Sequence, residues 1–378
     1  MSLWTIEPRD PLVVRDGRPN NGRSESASLA FPYPSTIAGV VRTRLGSDEH
    51  GVFNPDQDLP SLLRTAIRGP LLATASGEKI YVPAPRDAVV VERALRRLVP
   101  MDAPSGAMFD KHAFIGRPVG LVGDHAGAFG KPVEAPAWWP WDLFEHWLGE
   151  PGALDGGDAV SLLSDGVLKL PVEARSHVKL TETWTAEDGM LFQTRGLRFL
   201  SDKREPLALL VDLDAATIGD RKLRAGIGPS GGERRLAHWA PARLQSLPVL
   251  PKAVRTALEA KVSNVTVRVV LLTPAIFTGG WKPGDAPGQL LGPRAGITPT
   301  LVAACVPRPD TISGWDFAKR RPKMTRRLVP AGSVYWLDLG GTPDSRIRWA
   351  EEVMMHNVSD KEQDQSDGFG LAVVGVGS

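Results

Sequence analysis

The sequence predicts an α+β protein with two sheets, each interrupted by inserted loops. Near the N-terminus, a strand pattern over residues 3–14 precedes the clearest helix pattern in the chain, over residues 35–45. A hairpin pattern then covers residues 191–213, and a second strand-first core begins at Val265. The order strand, helix, hairpin and further strands is compatible with a β-α-β-β-α-β sheet. The second half of the chain also opens and closes with a strand.

Length and composition indicate two domains. At 378 residues, 42% of them hydrophobic, the chain is too long for one small core and can bury a sizeable one. We place the boundary near residue 250, which gives domains over 1–250 and 251–378. Residues 100–170 lack a regular pattern and are interpreted as an insertion. The 39 glycines and 33 prolines are spread along the chain, which favours short elements joined by shaped loops.

Local signals define the first strand and the first helix. Pro8 and Pro11 interrupt the strand, and a polar loop with three arginines follows it. The segment Pro34-Ser35-Thr36 supplies a helix cap, and Gly46 ends the helix. Between them, apolar residues recur with helical spacing at Ile37, Val40, Val41 and Leu45.

The middle of the chain predicts strands and an aromatic insertion. Residues 80–92 are strand-like, and residues 191–200 and 207–213 resemble the two arms of one hairpin. Residues 138–147 contain four tryptophans and two acidic residues, with no lysine or arginine. We expect this segment to contact a protein partner, because aromatic side chains suit interface anchors and its charge disfavours RNA.

The second half of the chain is predicted to start and end with buried strands. From Val265 to Leu271, apolar residues alternate with Thr266 and Arg268, which is typical of a strand. The last strand covers residues 371–376. The loop Asp367-Gly368-Phe369-Gly370 leads into it.

Charge is distributed unevenly although the formal net charge is only +2. Residues 319–327 carry six basic side chains and no acidic one, and residues 221–235 carry five basic side chains against one glutamate. Residues 351–367 carry six acidic side chains against one lysine. Separate patches of opposite sign suit a polyanion on one surface and a basic partner, or solvent, on another.

The sequence argues against several classes of protein. The single cysteine, Cys305, excludes a disulfide within the chain and a cysteine-based zinc site. None of the seven histidines has metal-ligand spacing, and we expect no metal, cofactor or catalytic residue. His177, flanked by Arg175 and Lys179, is the one candidate general base, although a structural or RNA-contacting role suits it better. No signal-peptide or membrane-spanning pattern is present, so we expect a cytoplasmic protein.

A glycine-rich run over residues 226–231 matches G-x-G-x-x-G, but a dinucleotide site is rejected. That site needs a buried strand before the run and a long helix after it, whereas charged residues flank this one. Two interpretations remain open. The run either lets backbone N–H groups approach a phosphate, or forms a hairpin turn with exposed charges.

Four segments in order resemble one protein family. They are RDGRP at 15–19, FPYPSTIAG at 31–39, the stretch from Gly314 to Tyr335, and GFG at 368–370. Together they resemble the third subunit of the Cmr-type (type III-B) CRISPR-Cas effector, in the RAMP superfamily. The resemblance implies two ferredoxin-like (RRM-like) domains. It also implies a ribonucleoprotein subunit for antiviral defence that holds the 5′ tag of the guide RNA (crRNA) without catalysing a reaction.

The resemblance also implies protein partners, namely a large polymerase-like subunit and a backbone subunit. Two alternatives stay open: a RAMP-type endoribonuclease that processes guide precursors, and a protein-only assembly module. The residues expected to contact RNA combine basic loops, glycine loops and one candidate base-stacking tryptophan. They are Arg15, Arg18, Arg23, Ser35, Thr36, Arg42, Gly231, Gly232, Arg234, Arg235, Trp281, Lys282, Arg320, Lys323, Arg326, Arg327, Gly368 and Gly370.

Overall fold

The protein is a mixed α/β structure with mainly antiparallel strands, so the predicted α+β class is confirmed. No helix in the described part of the chain is long and apolar enough to cross a membrane. The computed structural model describes residues 2–14, 29–54, 58–91, 94–102, 116–120, 135–149, 164–232, 235–316 and 321–377.

Strands and helices are numbered here in chain order. The strands of the first part are β1 (Ser2–Pro8), β2 (Ile67–Thr74), β3 (Ile80–Pro83), β4 (Ala88–Val91), β5 (Ala94–Arg97), β6 (Val99–Pro100), β7 (Val119–Gly120), β8 (Trp138–Pro140), β9 (Val172–Leu180), β10 (Ala186–Leu197), β11 (Leu207–Leu213), β12 (Gly226–Pro229) and β13 (Leu236–Pro241). Those of the second part are β14 (Val265–Leu271), β15 (Thr300–Cys305), β16 (Asp310–Ile312), β17 (Trp315–Asp316), β18 (Arg321–Pro322), β19 (Arg326–Leu328), β20 (Val334–Leu339), β21 (His356–Asn357) and β22 (Leu371–Val376). The helices are α1 (Pro34–Leu45), α2 (Leu59–Arg64), α3 (Trp141–Gly149), α4 (Ala215–Ile218), α5 (Lys252–Leu258), α6 (Pro343–Val353) and α7 (Glu362–Ser366).

The first sheet has seven antiparallel strands in the order β12-β13-β1-β11-β2-β3-β8. Every residue of β11 is buried, because α1 covers one face of the sheet and the second half of the chain covers the other. As the sequence predicts, Ile37, Val41 and Leu45 form the buried stripe of α1. The N-terminal strand ends at Pro8, and Leu12 continues as a buried bridge to Leu197.

The second sheet has five strands in the order β15-β20-β14-β22-β21. Strand β14 is central and pairs antiparallel with both β20 and β22, as its alternating sequence suggests. A capping box of Thr342 and Ser345 opens α6, which lies between β20 and β22 in the chain. Residues 272–299, between β14 and β15, contain no helix.

The predicted hairpin over residues 191–213 is correct only around its turn, where Leu200 and Pro206 form an antiparallel bridge and the Leu207 N–H donates to the Phe199 carbonyl at 2.9 Å. Strand β10 pairs with β9 to form a separate two-stranded arm, whereas β11 lies between β1 and β2. The physical reason is the difference in composition. The apolar run of β11 must be covered on both faces, while the alternating polar residues of β9 and β10 tolerate water.

The predicted Ser35 cap is wrong. The N-cap residue of α1 is Tyr33, and no side chain caps the helix. Pro34 occupies the first helical position, where its missing N–H costs nothing and its fixed φ suits the helix. The helix therefore starts one residue earlier, with Ser35 inside the first turn.

The tryptophan-rich segment is part of the intramolecular core. Trp139 and Trp147 are fully buried and meet edge to face, with ring centroids 5.6 Å apart. Helix α3 packs against β3, β22 and α5, so it joins the two sheets. The expectation of a partner-contacting segment is therefore wrong for these two residues, while Trp138 and Trp141 remain half-buried.

A buried ion pair joins the two halves of the chain. The Arg268 guanidinium on β14 pairs with the Asp87 carboxylate after β3, and both side chains are fully buried. Arg268 also donates to the Trp147 carbonyl and to the Val376 carbonyl, each at 2.7 Å. The Trp147 indole N–H donates to Asp87 at 3.2 Å, and the Arg97 guanidinium lies over the Trp147 ring. These contacts bring α3 and both sheets to one polar centre.

We expect Asp87→Ala to lower the free energy of unfolding by about 3–5 kcal/mol, because Arg268 would be buried without its counter-charge. Urea unfolding followed by circular dichroism measures this change. The control is Glu351→Ala, which removes an exposed ion pair with Arg255 and should cost less than about 1 kcal/mol. Equal effects of the two substitutions would contradict a structural role for the buried pair.

Candidate nucleic-acid interface

The largest cavity near the predicted RNA residues lies between α1 and the β12–β13 hairpin. Its volume is about 810 Å³, and we call it the basic groove. Thr36 and Gly231, two of the predicted contact residues, both line it. Its other lining residues are Gly39, Val40, Thr43, Arg44, Ser47, Asp48, Glu49, His50, Gly51, Arg224, Ala225, Ile227, Gly228, Pro229, Ser230 and Leu236.

Two arginines, Arg44 and Arg224, and two carboxylates, Asp48 and Glu49, line the basic groove, which is named for its arginines. Arg44 donates to the Arg224 carbonyl at 2.8 and 2.9 Å, and the Arg224 guanidinium donates to the Ser47 carbonyl at 2.9 Å. Among the described residues neither guanidinium has a carboxylate partner. Burial, and then the nearby Arg224 charge, lower the pKa of Arg44. An anion in the groove would relieve this repulsion between two cations.

The glycine-rich run forms the β12–β13 hairpin, so the hairpin alternative is the correct one for its structure. Gly231 has φ +76°, and a Cβ there would lie 2.6 Å from Leu12 Cδ1, so only glycine fits without strain. The Gly232 N–H donates to the Val13 carbonyl at 3.0 Å. Ser230 is 2% exposed, and its hydroxyl has no hydrogen-bond partner within the described chain.

The predicted arginine loop starts beside this turn. Arg15, Arg18 and Arg23 lie outside the described residues, as do Arg234 and Arg320. The residues on either side of the loop are described: the Leu29 N–H donates to the Val14 carbonyl at 3.0 Å. Because the Val13 carbonyl accepts the Gly232 N–H, the described residues that flank this segment lie next to the glycine turn. Arg235 is half-buried, and its backbone carbonyl closes that turn by accepting the Ser230 N–H.

Arg42 has a structural position that the sequence did not predict. It is 7% exposed, and its guanidinium bonds Asp367 at 2.5 Å and the Thr65 carbonyl at 2.9 Å. A third bond reaches the Ser366 carbonyl at 3.1 Å. A phosphate contact needs an accessible guanidinium, so this buried arginine is corrected to a link between α1 and the C-terminal segment.

Gly368 and Gly370 are likewise buried between chain segments. Gly368 has φ +94°, and a Cβ there would lie 2.4 Å from the Gly69 carbonyl oxygen. The Gly370 N–H donates to the Pro274 carbonyl at 2.8 Å. These glycines therefore permit close packing of the last strand's entry loop against β2, and they present no open backbone to a ligand.

The described part of the basic run supplies β18, which pairs with β17, and the start of β19, which pairs with β16. Arg326 pairs with the buried carboxylate of Asp364 at 2.5 Å, so the basic and acidic patches of the sequence partly neutralise each other. Lys323 and Arg327 are exposed, and Met324 between them is 88% exposed. Of the predicted residues that the structure describes in this run, Lys323 and Arg327 remain accessible to a phosphate.

Trp281 and Lys282 lie on a tight loop that Asp360 holds in place. The Asp360 carboxylate accepts from the Thr278 and Gly284 N–H groups at 2.6 and 3.0 Å. The Trp281 carbonyl accepts from the Tyr335 hydroxyl at 2.6 Å, while 38% of the residue stays exposed. The indole is accessible for stacking on a base.

The β9–β10 arm is a feature that the sequence analysis missed. His177 on β9 stacks on Phe192 of β10 with ring centroids 5.1 Å apart, and its Nε2 lies 2.8 Å from the Thr194 hydroxyl. Trp184, 82% exposed, lies in the connecting turn. The alternation of polar and apolar residues over 172–180 and 186–197 is the signal that could have identified this arm.

The contacts of His177 and Cys305 bear on the expectation that the chain has no catalytic residue. His177 contacts a hydroxyl and an aromatic ring but no carboxylate, and no group of three or more potential metal ligands occurs in the described ranges. Cys305 contacts the Arg86 carbonyl at 3.1 Å through its Sγ atom. Burial raises the pKa of this thiol to about 11, which makes it a poor nucleophile at neutral pH.

Comparison with protein families confirms the resemblance inferred from the sequence. A family model described as CRISPR-associated protein (Cas_Cmr3) matches residues 4–377. The chain belongs to this family, since the match covers almost its full length. No curated protein sequence matches the chain.

Several solved structures are similar to the chain. A chain of the type III-B Cmr-beta cryo-EM structure bound to cognate target RNA and AMPPnP (state 1) is 16% identical, with a TM-score of 0.48. The match covers 88% of this chain and 86% of that chain. The same coverage applies to the structure bound to cognate target RNA, at 18% identity and a TM-score of 0.46. A chain of the Csm3–Csm4 subcomplex of the type III-A CRISPR-Cas interference complex is 8% identical. That match covers 90% of this chain and 94% of that chain, with a TM-score of 0.38.

We expect Cys305 in the folded protein to react with iodoacetamide on the order of 100-fold more slowly at pH 8 than in urea, because thiolate is the reactive form. The raised pKa also sets the pH dependence. The folded-state rate should keep rising up to pH 10, while the unfolded rate levels off near the ordinary thiol pKa of about 8.5. Mass spectrometry of the alkylated protein measures both rates. A folded-state rate that levels off near pH 8.5 would contradict this assignment.

Proposed function

We propose that this member of the Cas_Cmr3 family is a non-catalytic RNA-binding subunit that holds the 5′ tag of the guide RNA in a type III-B effector. The observation that carries the proposal is the basic groove. It combines two arginines without described carboxylate partners, a glycine turn and the first turn of α1 in one cavity of about 810 Å³. The arginine loop starts beside it. Such an arrangement suits the phosphates of an RNA strand.

Two further surfaces support contact with an extended strand. Trp281 offers an exposed aromatic face, and Lys323 and Arg327 offer charge without an aromatic neighbour. A strand crossing all three surfaces would be held mainly by its backbone, with stacking at one base. The cations would therefore position the strand, and Trp281 would contact a base.

We also propose that the two sheets are ferredoxin-like domains with a boundary near residue 250. Taken in chain order, β1, β2, β11 and β13 lie in the spatial order fourth, first, third, second. Strands β14, β15, β20 and β22 have the same order. A β-α-β-β-α-β sheet has this arrangement, with α1 between the first and second strands of one sheet and α6 between the third and fourth strands of the other.

The remaining parts of the proposal concern partners and location. We propose that the subunit contacts the large polymerase-like subunit and the backbone subunit, and that it acts in the cytoplasm. The absence of a described acid–base pair at His177 favours binding over the endoribonuclease alternative. The arginines of the basic groove, which have no carboxylate partner among the described residues, favour RNA over a protein-only role.

Incubation of the purified chain with labelled repeat RNA tests these functions. We expect a shifted complex on a native gel and intact RNA on a denaturing gel. Cleavage that disappears in a His177→Ala variant would identify an endoribonuclease instead. Intact RNA without a shifted complex would indicate a protein-only module.

We expect Arg224→Ala, and separately the double variant Lys323→Ala/Arg327→Ala, to weaken RNA binding about equally for different sequences. Each lost phosphate contact should make the slope of log affinity against log salt shallower by about 0.7. Arg326 is left intact because its loss would bury Asp364 without a partner. Fluorescence anisotropy over a salt series measures the slope. Lys261→Ala, an exposed lysine outside these surfaces, is the control. An unchanged slope in both variants would contradict the assignment.

A further inference from the structure

A second cavity, of about 510 Å³, carries the opposite charge. It lies between the start of β3, the start of α3, residues 164–166 and the turn at 201–205, and we call it the acidic groove. Five carboxylates and two lysines line it: Glu78, Asp142, Asp165, Asp202, Glu205, Lys79 and Lys203. Trp141 also lines an adjoining cavity of about 590 Å³, so the groove continues along residues 244–252.

The carboxylates of the acidic groove differ in whether a basic side chain or a backbone N–H group bonds them. Asp165 pairs with Lys203 at 3.1 Å, and Asp202 accepts the Leu168 N–H at 2.7 Å. Asp142 and Glu205 are exposed, and neither has a basic partner in the part of the chain that the structure describes. The groove therefore holds negative charge that the fold itself does not neutralise.

Tyr81 is a largely buried polar side chain that reaches the acidic groove. It lines the groove and is 6% exposed, but its hydroxyl makes no hydrogen bond with the described residues. Burial, followed by the charges of Glu205 and Asp165, raises the pKa of this phenol, while Lys203 acts in the opposite direction. The hydroxyl is not among the buried atoms that lack a partner, so it opens into the groove, where a ligand could bond it.

We infer that the acidic groove is a docking site for an arginine- or lysine-bearing segment of another protein subunit. A basic side chain would donate to Asp142 and Glu205, and its N–H groups could also donate to the Tyr81 oxygen. The Trp141 ring, fixed by an indole N–H bond to Glu145 at 3.0 Å, offers a face for a cation. RNA is disfavoured because the uncompensated charge would repel phosphates. This surface is separate from the basic groove, so one subunit can hold RNA and protein with opposite charges.

Charge reversal in Asp142→Lys/Glu205→Lys tests the inference in the reconstituted effector. Both side chains are exposed, so we expect the variant to fold, which circular dichroism checks. We expect its affinity for the other effector subunits, measured by biolayer interferometry, to fall at least about tenfold. The matched control is Glu259→Lys/Asp285→Lys, which reverses two exposed charges outside the groove and should retain the affinity. Equal affinities of the two double variants would overturn the inference.

A photo-crosslinking residue at Leu143, which lines the groove, supplies a second readout. After irradiation of the assembled complex, we expect mass spectrometry to identify a crosslinked peptide that contains arginine or lysine from another subunit. Crosslinks to RNA, or only within this chain, would overturn the inference. RNA affinity of the isolated double variants is measured in parallel. If both tests of the acidic groove fail while RNA binding persists, the proposed RNA function still stands. If both tests succeed while RNA binding is absent, the docking inference stands and the proposed RNA function fails.

Discussion

The buried ion pair between Asp87 and Arg268 is the contact on which the arrangement of the two sheets depends. Neither charged group can be buried without the other, since an isolated charge in the core would be strongly destabilising. Trp147 bonds both partners, so α3 can pack only where that pair forms. The position of α3 in turn determines one wall of the acidic groove, because Trp141 and Asp142 begin the same helix.

A second junction determines the position of α1. Arg42 joins this helix to Asp367, and Gly368 allows the entry loop of β22 to touch β2. Asn357 adds bonds to the Ile67 and Gln365 carbonyls at 2.8 and 2.7 Å. These contacts hold the buried side of α1 against both halves of the chain. Its exposed side is left to form one wall of the basic groove.

Opposite charges that are separate in the sequence partly meet in the fold. The basic run and the C-terminal acidic run meet in the fold, where Asp364 and Asp367 each neutralise an arginine. Uncompensated charge remains at two other places. Arg44 and Arg224 lie in the basic groove, and Asp142 and Glu205 lie in the acidic groove. The proposed RNA-binding function would use such a division, because one surface must attract phosphates while another meets protein.

The sequence by itself determined the local patterns: the α+β class, the buried stripe of α1, the alternation of β14 and the family resemblance. These depend on neighbours along the chain, because helix and strand periods are local properties. The tertiary structure alone decided which charged residues are buried. Asp87 and Arg268 are 181 positions apart, and Arg42 and Asp367 are 325 apart, so no local pattern identifies them as partners. The same limit explains why the predicted hairpin is correct only around its turn, because strand pairing is decided by which faces the rest of the fold covers.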